Sequence, residues 1–128
     1  MEYDPNSSVN IAARMSGRIE KMYVNYKYQK VNKGQKLFDL YSPELLTEQQ
    51  NFIYMVINDV ENPSIINASR QKLMLYGMSE SQIAQLKNSK KILQTVPVYA
   101  SMDGYANEIS ITEGSYVTTG STLFRIAS

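Results

Sequence analysis

Carboxylates are the residues of this chain that could most readily perform chemistry. Glu44 and Glu48 lie one helical turn apart, and Glu108 and Glu113 flank a predicted turn. Paired carboxylates can share the roles of acid and base in catalysis. Neither pair has a histidine, an arginine clamp or an evident cleft beside it, so we interpret both pairs as solvated surface. We predict no catalytic, cofactor-binding or metal-binding residues, and no cofactor.

The chain contains no cysteine and no histidine. Their absence excludes thiol nucleophiles, metal sites built on thiolate or imidazole, and hydrolytic triads, so we predict that the protein is not an enzyme. The 13 basic and 12 acidic residues give a net charge of +1, which is not typical of a nucleic-acid-binding protein. We interpret a group of five lysines as a solvated loop edge: Lys21, Lys27, Lys30, Lys33 and Lys36.

The length and composition indicate one globular domain. The chain has 128 residues, of which 43% are hydrophobic, enough for a modest core. It contains no run of 18 apolar residues, and its first ten residues, MEYDPNSSVN, do not form a signal peptide. Strand-like sequence approaches both ends, so we expect a piece of a longer protein whose targeting segment lies elsewhere.

A repeated β pattern organises the sequence. Five residues recur 86 positions later: Val31, Gly34, Leu37, Phe38 and Leu40 as Val117, Gly120, Leu123, Phe124 and Ile126. Three upstream residues recur 87 positions later: Gly17, Met22 and Val24 as Gly104, Ile109 and Ile111. The one-residue slip falls in the intervening turn, where an insertion is tolerated. The repeat predicts two related β half-units whose short strands interleave around one shared apolar interior.

Alternating sequence predicts strands of the first half-unit at Val9–Met15 and Arg18–Tyr26, and a further short strand is predicted at Lys36–Tyr41. In the second of these segments, the alternation places Met22, Val24 and Tyr26 on one face and Ile19, Lys21, Tyr23 and Asn25 on the other. Strand-like sequence resumes at residues 92–100, where Pro97 restricts the segment to a sheet edge or a strand start.

Between the half-units the apolar period changes from 2 to 3.6 residues. Ser42, Pro43 and Glu44 form a helix-start signal, and Asn62-Pro63 predicts a second helix that ends at Gly77. Ser79 and Gln82 form a capping box for a third, short helix. The first helix has an apolar stripe composed of Leu45, Gln49, Phe52, Val56 and Val60, joined by Leu46, Ile53 and Ile57. We expect these helices to pack on themselves as a satellite.

The glycine, valine and leucine-phenylalanine spacing resembles the lipoyl/biotinyl fold, a barrel-sandwich hybrid. The second copy fits closely through Gly104, Gly114, Val117 and Gly120, whereas the first has Tyr28-Gln29 where the early turn would carry glycine. The predicted fold class is therefore α+β: two β half-units forming a lipoyl-like barrel-sandwich hybrid, interrupted by a short α-helical, hairpin-like insert. The predicted segments are residues 1–41, 42–91 and 92–128.

Lipoyl and biotinyl carriers present a modified lysine on a tight hairpin between their two halves. In this sequence roughly fifty residues of predicted helix replace that hairpin, and neither residues 40–42 nor residues 92–96 offer such a lysine. A lipoyl- or biotin-type carrier domain therefore remains an alternative only.

Four stretches resemble the periplasmic adaptors, or membrane fusion proteins, of bacterial efflux systems. They are SGRIEKMYV at 16–24, LYSPEL at 40–45, QQNF at 49–52 and LMLYGMS at 73–79. The second and fourth resemble the heavy-metal, copper/silver branch, which works with resistance-nodulation-division pumps. The resemblance implies a periplasmic protein associated with the inner membrane, an inner-membrane pump and an outer-membrane channel as partners, and self-association in a ring. An adaptor for drug or protein export is the further alternative.

The resemblance also implies that Cu(I) or Ag(I) could bind to methionine thioethers of the full-length protein. The chain has seven methionines: Met1, Met15, Met22, Met55, Met74, Met78 and Met102. Met22 corresponds to Ile109 in the repeat, which marks it as a core residue, and we interpret Met15 and Met102 as packing residues too. We interpret five tyrosines as cover for the sheet faces, with docking as the alternative: Tyr23, Tyr26, Tyr28, Tyr105 and Tyr116.

Overall fold

The computed structural model describes residues 8–128, which form eight strands and three helices. The strands are β1 (Val9–Ala12), β2 (Gly17–Met22), β3 (Lys30–Val31), β4 (Lys36–Tyr41), β5 (Val96–Tyr99), β6 (Gly104–Ile109), β7 (Tyr116–Val117) and β8 (Thr122–Ala127). The helices are α1 (Pro43–Asn58), α2 (Pro63–Leu75) and α3 (Glu80–Ser89), all between β4 and β5. The predicted α+β class and its order of β half, helical insert and β half are confirmed.

The strands form two antiparallel four-stranded sheets that both draw on the two ends of the chain. One sheet has the order β1-β8-β6-β3 and the other has the order β5-β4-β2-β7. Strand β3 of the first half pairs with β6 of the second, and β7 of the second half pairs with β2 of the first. Neither half therefore completes a sheet without the other.

Corresponding strands pair in the same register, so the two halves follow the same backbone path. Val31 pairs with Gly104 in one sheet, as Val117 pairs with Gly17 in the other. The register of β2 against β4 shifts between Ile19 and Lys21, and that of β6 against β8 shifts at the corresponding place. The repeat also includes β1 and β5, because Val9 pairs with Ile126 as Val96 pairs with Leu40.

The bulge in β2 corrects the predicted face assignment. Simple alternation placed Ile19 and Met22 on opposite faces, yet both are buried in the same apolar cluster. The extra residue, Glu20, shifts the alternation by one position, which brings both side chains inward. Tyr26, predicted to share the face of Met22, is exposed because β2 ends at Met22.

Two glycines of the repeat lie where a strand approaches a neighbouring carbonyl. A Cβ atom on Gly17 would lie 2.3 Å from the carbonyl oxygen of Tyr41. A Cβ atom on Gly104 would lie 2.3 Å from the carbonyl oxygen of Ala127. Because both neighbours are backbone atoms, neither position accommodates a larger residue without a shift of a strand.

The early turn has the same conformation in both halves although only one copy has glycine. Gly114 has a φ of 83° and donates its amide to the Ile19 carbonyl at 2.7 Å. Tyr28 has a φ of 69° and donates its amide to the Ala106 carbonyl at 2.6 Å. Tyr28 therefore adopts a left-handed conformation that is unfavourable for a residue with a Cβ atom.

The apolar interior consists of two clusters. The sandwich cluster surrounds Phe38 and Phe124, one from each half, whose rings stack with centroids 5.8 Å apart and planes 5° from parallel. The insert has its own cluster, formed by Leu45, Phe52, Leu73, Met78, Ile83 and Leu86 together with Val96 of β5. Tyr76 packs against both clusters, so it lies at the junction between the insert and the sandwich. Within residues 8–128, no helix has the length and apolar character needed to cross a membrane.

Candidate functional site: the helical insert and its base

The insert begins and ends at paired strands. Leu40 of β4 is paired with Val96 of β5, so the chain leaves and re-enters the sandwich at neighbouring points. At the start of α1 the Ser42 hydroxyl accepts a hydrogen bond from the amide of Leu45 at 3.3 Å, and Pro43 occupies the first turn. This is the predicted helix start, and it occupies the place where a carrier domain would present its lysine hairpin.

The corner between α2 and α3 is fixed by two capping motifs. At the end of α2, Gly77 has a φ of 105°, and the amide of Met78 donates to the Leu73 carbonyl at 3.1 Å. This geometry is a Schellman cap. At the start of α3, Ser79 and Gln82 exchange hydrogen bonds of 2.9 and 3.2 Å, which confirms the predicted capping box.

Asn62, by contrast, is the N-cap residue of α2 but makes no side-chain capping bond. The start of α2 therefore relies on Pro63, whose fixed φ suits the first helical turn.

Gln49 joins α1 to the segment that returns to the sandwich. Its side chain is fully buried, its Nε2 donates to the Leu93 carbonyl at 3.1 Å, and its Oε1 accepts from the Leu93 amide at 2.8 Å. The sequence placed Gln49 on the buried stripe but gave no signal for its partner. Because both the nitrogen and the oxygen of the Gln49 side-chain amide are hydrogen-bonded, this polar side chain can be buried without a large energetic cost.

An ion pair joins α1 to α2. The Lys72 ammonium donates to the Glu48 carboxylate at 2.9 Å, and this bond together with the negative charge raises the pKa of Lys72. Glu48 therefore has a structural partner, whereas the sequence indicated only solvated surface. Glu108 and Glu113 also have partners: Glu108 lies 3.6 Å from Arg125, and Glu113 accepts from the Met22 amide at 2.9 Å.

The far end of the insert exposes apolar side chains. The predicted stripe of α1 is buried only through Leu45, Gln49 and Phe52. Beyond Phe52, Ile57 is 53% exposed and Val60 is 67% exposed, contrary to the prediction for both. Tyr54 and Ile65 are exposed in the same region. We call Tyr54, Ile57, Val60 and Ile65 the apolar tip.

The methionines lie mainly in the apolar clusters. Met15 and Met22 are buried in the sandwich cluster, and Met102 packs against it. Met78 is buried in the insert cluster, where Met74 packs at its edge. Met1 lies outside the described residues. Residues 8–128 contain no group of three or more Asp, Glu, His or Cys side chains that could hold a metal ion.

The outer face of the β4–β2 sheet has an aromatic and basic group around Tyr23. The Tyr23 hydroxyl donates to the Asp39 carboxylate at 2.8 Å, and this bond, followed by partial burial, raises the pKa of Tyr23. The ammonium groups of Lys21 and Lys36 lie 5.0 and 5.6 Å from the centroid of the Tyr23 ring. Tyr23 thus covers its sheet face as predicted. Tyr26, Tyr28, Tyr105 and Tyr116 are exposed.

Comparison with known proteins identifies the family. The family model described as "CusB, barrel-sandwich hybrid domain" matches residues 8–127. Among curated proteins, the chain is 26% identical over 118 residues to a putative membrane fusion protein, SilB, of Salmonella typhimurium. That match covers 92% of this chain and 27% of SilB, so the chain spans about a quarter of the relative's length.

Solved structures with the same fold include ZneB from Cupriavidus metallidurans, at a TM-score of 0.59 and 16% identity over 98% of this chain and 62% of ZneB. A MacA–MexA chimeric protein that contains the α-hairpin domain of Pseudomonas aeruginosa MexA matches with a TM-score of 0.54 and 20% identity, over 94% of this chain and 47% of the chimera. A putative efflux transporter from Bacteroides eggerthii matches with a TM-score of 0.53 and 17% identity, over 94% of this chain and 39% of the transporter. The family match across residues 8–127 and the similarity to SilB confirm the resemblance to the heavy-metal periplasmic adaptors. The chain belongs to the CusB barrel-sandwich hybrid domain family.

Proposed function

We propose that this chain is the central part of a periplasmic adaptor that links an inner-membrane efflux pump of the resistance-nodulation-division class to an outer-membrane channel. The observation that carries the proposal is the apolar tip, exposed at the far end of a helical insert in a membrane-fusion-protein domain. In this role the chain acts mechanically rather than as an enzyme, with residues 8–41 and 92–128 forming the base and residues 42–91 the projecting arm.

The structure connects the base to the tip so that a movement of the sandwich also moves the helices. The interleaved sheets make the base one packed unit, because each sheet needs strands of both halves. The insert leaves this unit at the paired residues Leu40 and Val96, and Gln49 ties its first helix to the returning segment. A displacement of the base is therefore passed to the helices through paired backbone rather than through a single flexible linker.

The proposed adaptor resides in the periplasm at the inner membrane, and its copies associate side by side in a ring. The proposed cargo is a heavy-metal cation of the Cu(I)/Ag(I) type, from the sequence resemblance. Met15, Met22 and Met102 take part in core packing here. We therefore place any thioether ligands for Cu(I) or Ag(I) in other parts of the full-length protein.

The apolar tip provides a direct test of channel docking. In the full-length protein, the Ile57→Ser/Val60→Ser double variant should lose co-purification of the outer-membrane channel and the cell's metal tolerance, while the pump still co-purifies. Leu75→Ser is the matched control, because Leu75 is 73% exposed but lies at the other end of the helices. If the double variant retains channel binding and metal tolerance, the docking role of the tip is wrong.

The cargo and the carrier alternative need separate measurements. Deletion of the full-length gene should lower tolerance to Ag(I) and Cu(I) and leave tolerance to drugs unchanged; the reverse result would favour a drug adaptor. After co-expression with lipoate or biotin ligase, the intact mass of the chain should not change. A mass gain on one lysine would support the carrier function instead.

A further inference from the structure

A cleft lies between the free edges of the two sheets and the α2–α3 corner. Strands β1 and β5 are the outermost strands of their sheets, and both line the cleft. Tyr76 and Gln82 of the corner line it from the side of the insert, and the half-buried Ile11 of β1 and Val98 of β5 contribute apolar surface from the sandwich. The cleft has a volume of about 480 Å³, which is within the usual range for small-molecule sites.

The lining of the cleft is apolar with a single charge. Arg14 is the only charged residue among the described residues that line it. The polar side chains nearest the insert, Ser79 and Gln82, are neutral, as is Ser101 on the strand side. A ligand suited to this lining has an apolar body and one negative group.

Arg14 differs from the other three arginines of the chain in having no carboxylate partner within residues 8–128. The others form ion pairs with glutamates: Arg18 with Glu20, Arg70 with Glu80 and Arg125 with Glu108. Arg14 instead makes one long hydrogen bond, from Nη1 to the Met74 carbonyl at 3.5 Å. Its remaining donors can therefore receive a carboxylate, for which the guanidinium group has a matching planar geometry.

We propose that this cleft binds a small amphipathic carboxylate, with the apolar chain against Ile11 and Val98 and the carboxylate on Arg14. An extended peptide fits less well, because Pro97 occupies the edge strand β5 and has no amide hydrogen to donate to an added strand. The ligand is distinct from the proposed metal cargo, and the site is independent of the apolar tip.

Decanoate is a suitable probe, and decanamide is its uncharged counterpart of nearly the same shape. Isothermal titration calorimetry on the 128-residue chain should give saturable, one-to-one binding of decanoate and at least about tenfold weaker binding of decanamide. The Arg14→Gln variant should bind decanoate about tenfold more weakly, because it keeps a long polar side chain without the charge. Arg70→Gln is the control, since Arg70 lies on α2 outside the cleft and is paired with Glu80.

Filling the cleft provides a second, independent variant. Val98→Phe should abolish decanoate binding because the larger ring occupies apolar space in the cleft. Ser101→Phe should have the same effect, and because Ser101 is exposed the substitution does not disturb core packing. Urea unfolding of each variant checks that it is folded. The proposal is overturned if decanoate does not saturate, if decanamide binds equally well, or if binding survives Arg14→Gln and both filling variants. Preferential binding of an extended apolar peptide would also overturn it. Channel docking through the tip is measured separately and does not depend on any of these results.

Discussion

Residues 9–41 and residues 96–127 trace the same path: an outer strand, a bulged strand, a two-residue strand and a six-residue strand. Positions that face the shared interior have similar residues in both halves, as Phe38 and Phe124 illustrate. Positions where a strand meets a neighbouring carbonyl have glycine in both, at Gly17 and Gly104. The shared features are therefore those that the backbone and the core require.

Outward positions differ between the halves. Lys21 pairs with Asp39 on one sheet, whereas the corresponding pair on the other sheet is Glu108 and Arg125, with the charges exchanged. Tyr23, which packs beside two lysines, corresponds to Ser110 in the second half. One duplicated scaffold therefore presents two chemically different faces, because surface residues are not constrained by the interior.

The largest effect tests the symmetry of the core. Phe38→Ala and Phe124→Ala should each lower the free energy of unfolding by about 3–5 kcal/mol, because each removes half of a buried aromatic stack. Urea unfolding measures both, with Tyr116→Ala, at an exposed position, as the control. If one phenylalanine variant costs several kcal/mol and the other almost nothing, the two halves do not share the core equally.

The glycine positions separate close packing from backbone conformation. Gly17→Ala and Gly104→Ala should each cost about 3 kcal/mol, because the new methyl group meets a strand carbonyl. Gly34→Ala should cost only about 1 kcal/mol, because Gly34 has a φ of 85° but no neighbouring atom within 4 Å of the added carbon. Equal costs at Gly17 and Gly34 in urea unfolding would contradict the close-approach explanation.

Exchanging the residue types of the two early turns, at Tyr28 and Gly114, should change the free energy of unfolding in opposite directions. Tyr28→Gly should raise the free energy of unfolding by about 0.5 kcal/mol, because it relieves the left-handed conformation at φ 69°. Gly114→Tyr should lower it by about 1 kcal/mol, because it introduces the same conformation with a Cβ atom. A clear loss of stability for Tyr28→Gly would mean that contacts of the tyrosine ring outweigh the backbone strain.

The smallest expected effect is a pH dependence of the free energy of unfolding that arises from Tyr23, in the first half only. The hydrogen bond to Asp39 raises the pKa of Tyr23 above its ordinary value of 10.0, so the folded state holds the phenol proton more tightly. The resulting stabilisation is complete below pH 10.0 and is lost as the pH rises through the raised pKa. The wild-type advantage over Tyr23→Phe in urea unfolding should therefore stay constant up to about pH 10 and shrink as the pH is raised further. Ser110→Ala should show no such change, and a difference for Tyr23→Phe that is constant with pH would exclude this linkage.

Patterns based on side-chain type predicted the repeat and the helix ends. The matched residues Val31 and Val117 are both buried, and the capping signals at Ser42 and Ser79 lie at helix starts, because these features depend on local chemistry. Simple alternation failed at Glu20, because a bulge changes the period without a distinct sequence signal. The membership of β1 and β5 in the repeat was missed, because four-residue apolar strands offer too few positions to align.

Partners from distant parts of the chain were the least predictable features of the candidate site. The helical period alone cannot say where the core beneath α1 ends, so Ile57 and Val60 were expected to be buried. The same limit applies to Gln49, whose partner Leu93 lies 44 residues away. The sequence likewise could not predict that Arg14 lacks a carboxylate partner among residues 8–128, because ion pairs depend on which carboxylates the fold brings near each arginine.

The pairing of Leu40 with Val96 has a consequence for how the chain folds. Joining Val9 to Ile126 requires closure of nearly the whole chain, which makes folding slow in a topology of non-local contacts. The three helices, in contrast, are assembled from contacts within a short stretch of sequence. If they form first on the ribosome, they bring the ends of β4 and β5 together and remove about fifty residues from the loop that must close. The helical insert would then hold the ends of β4 and β5 together while the two sheets form.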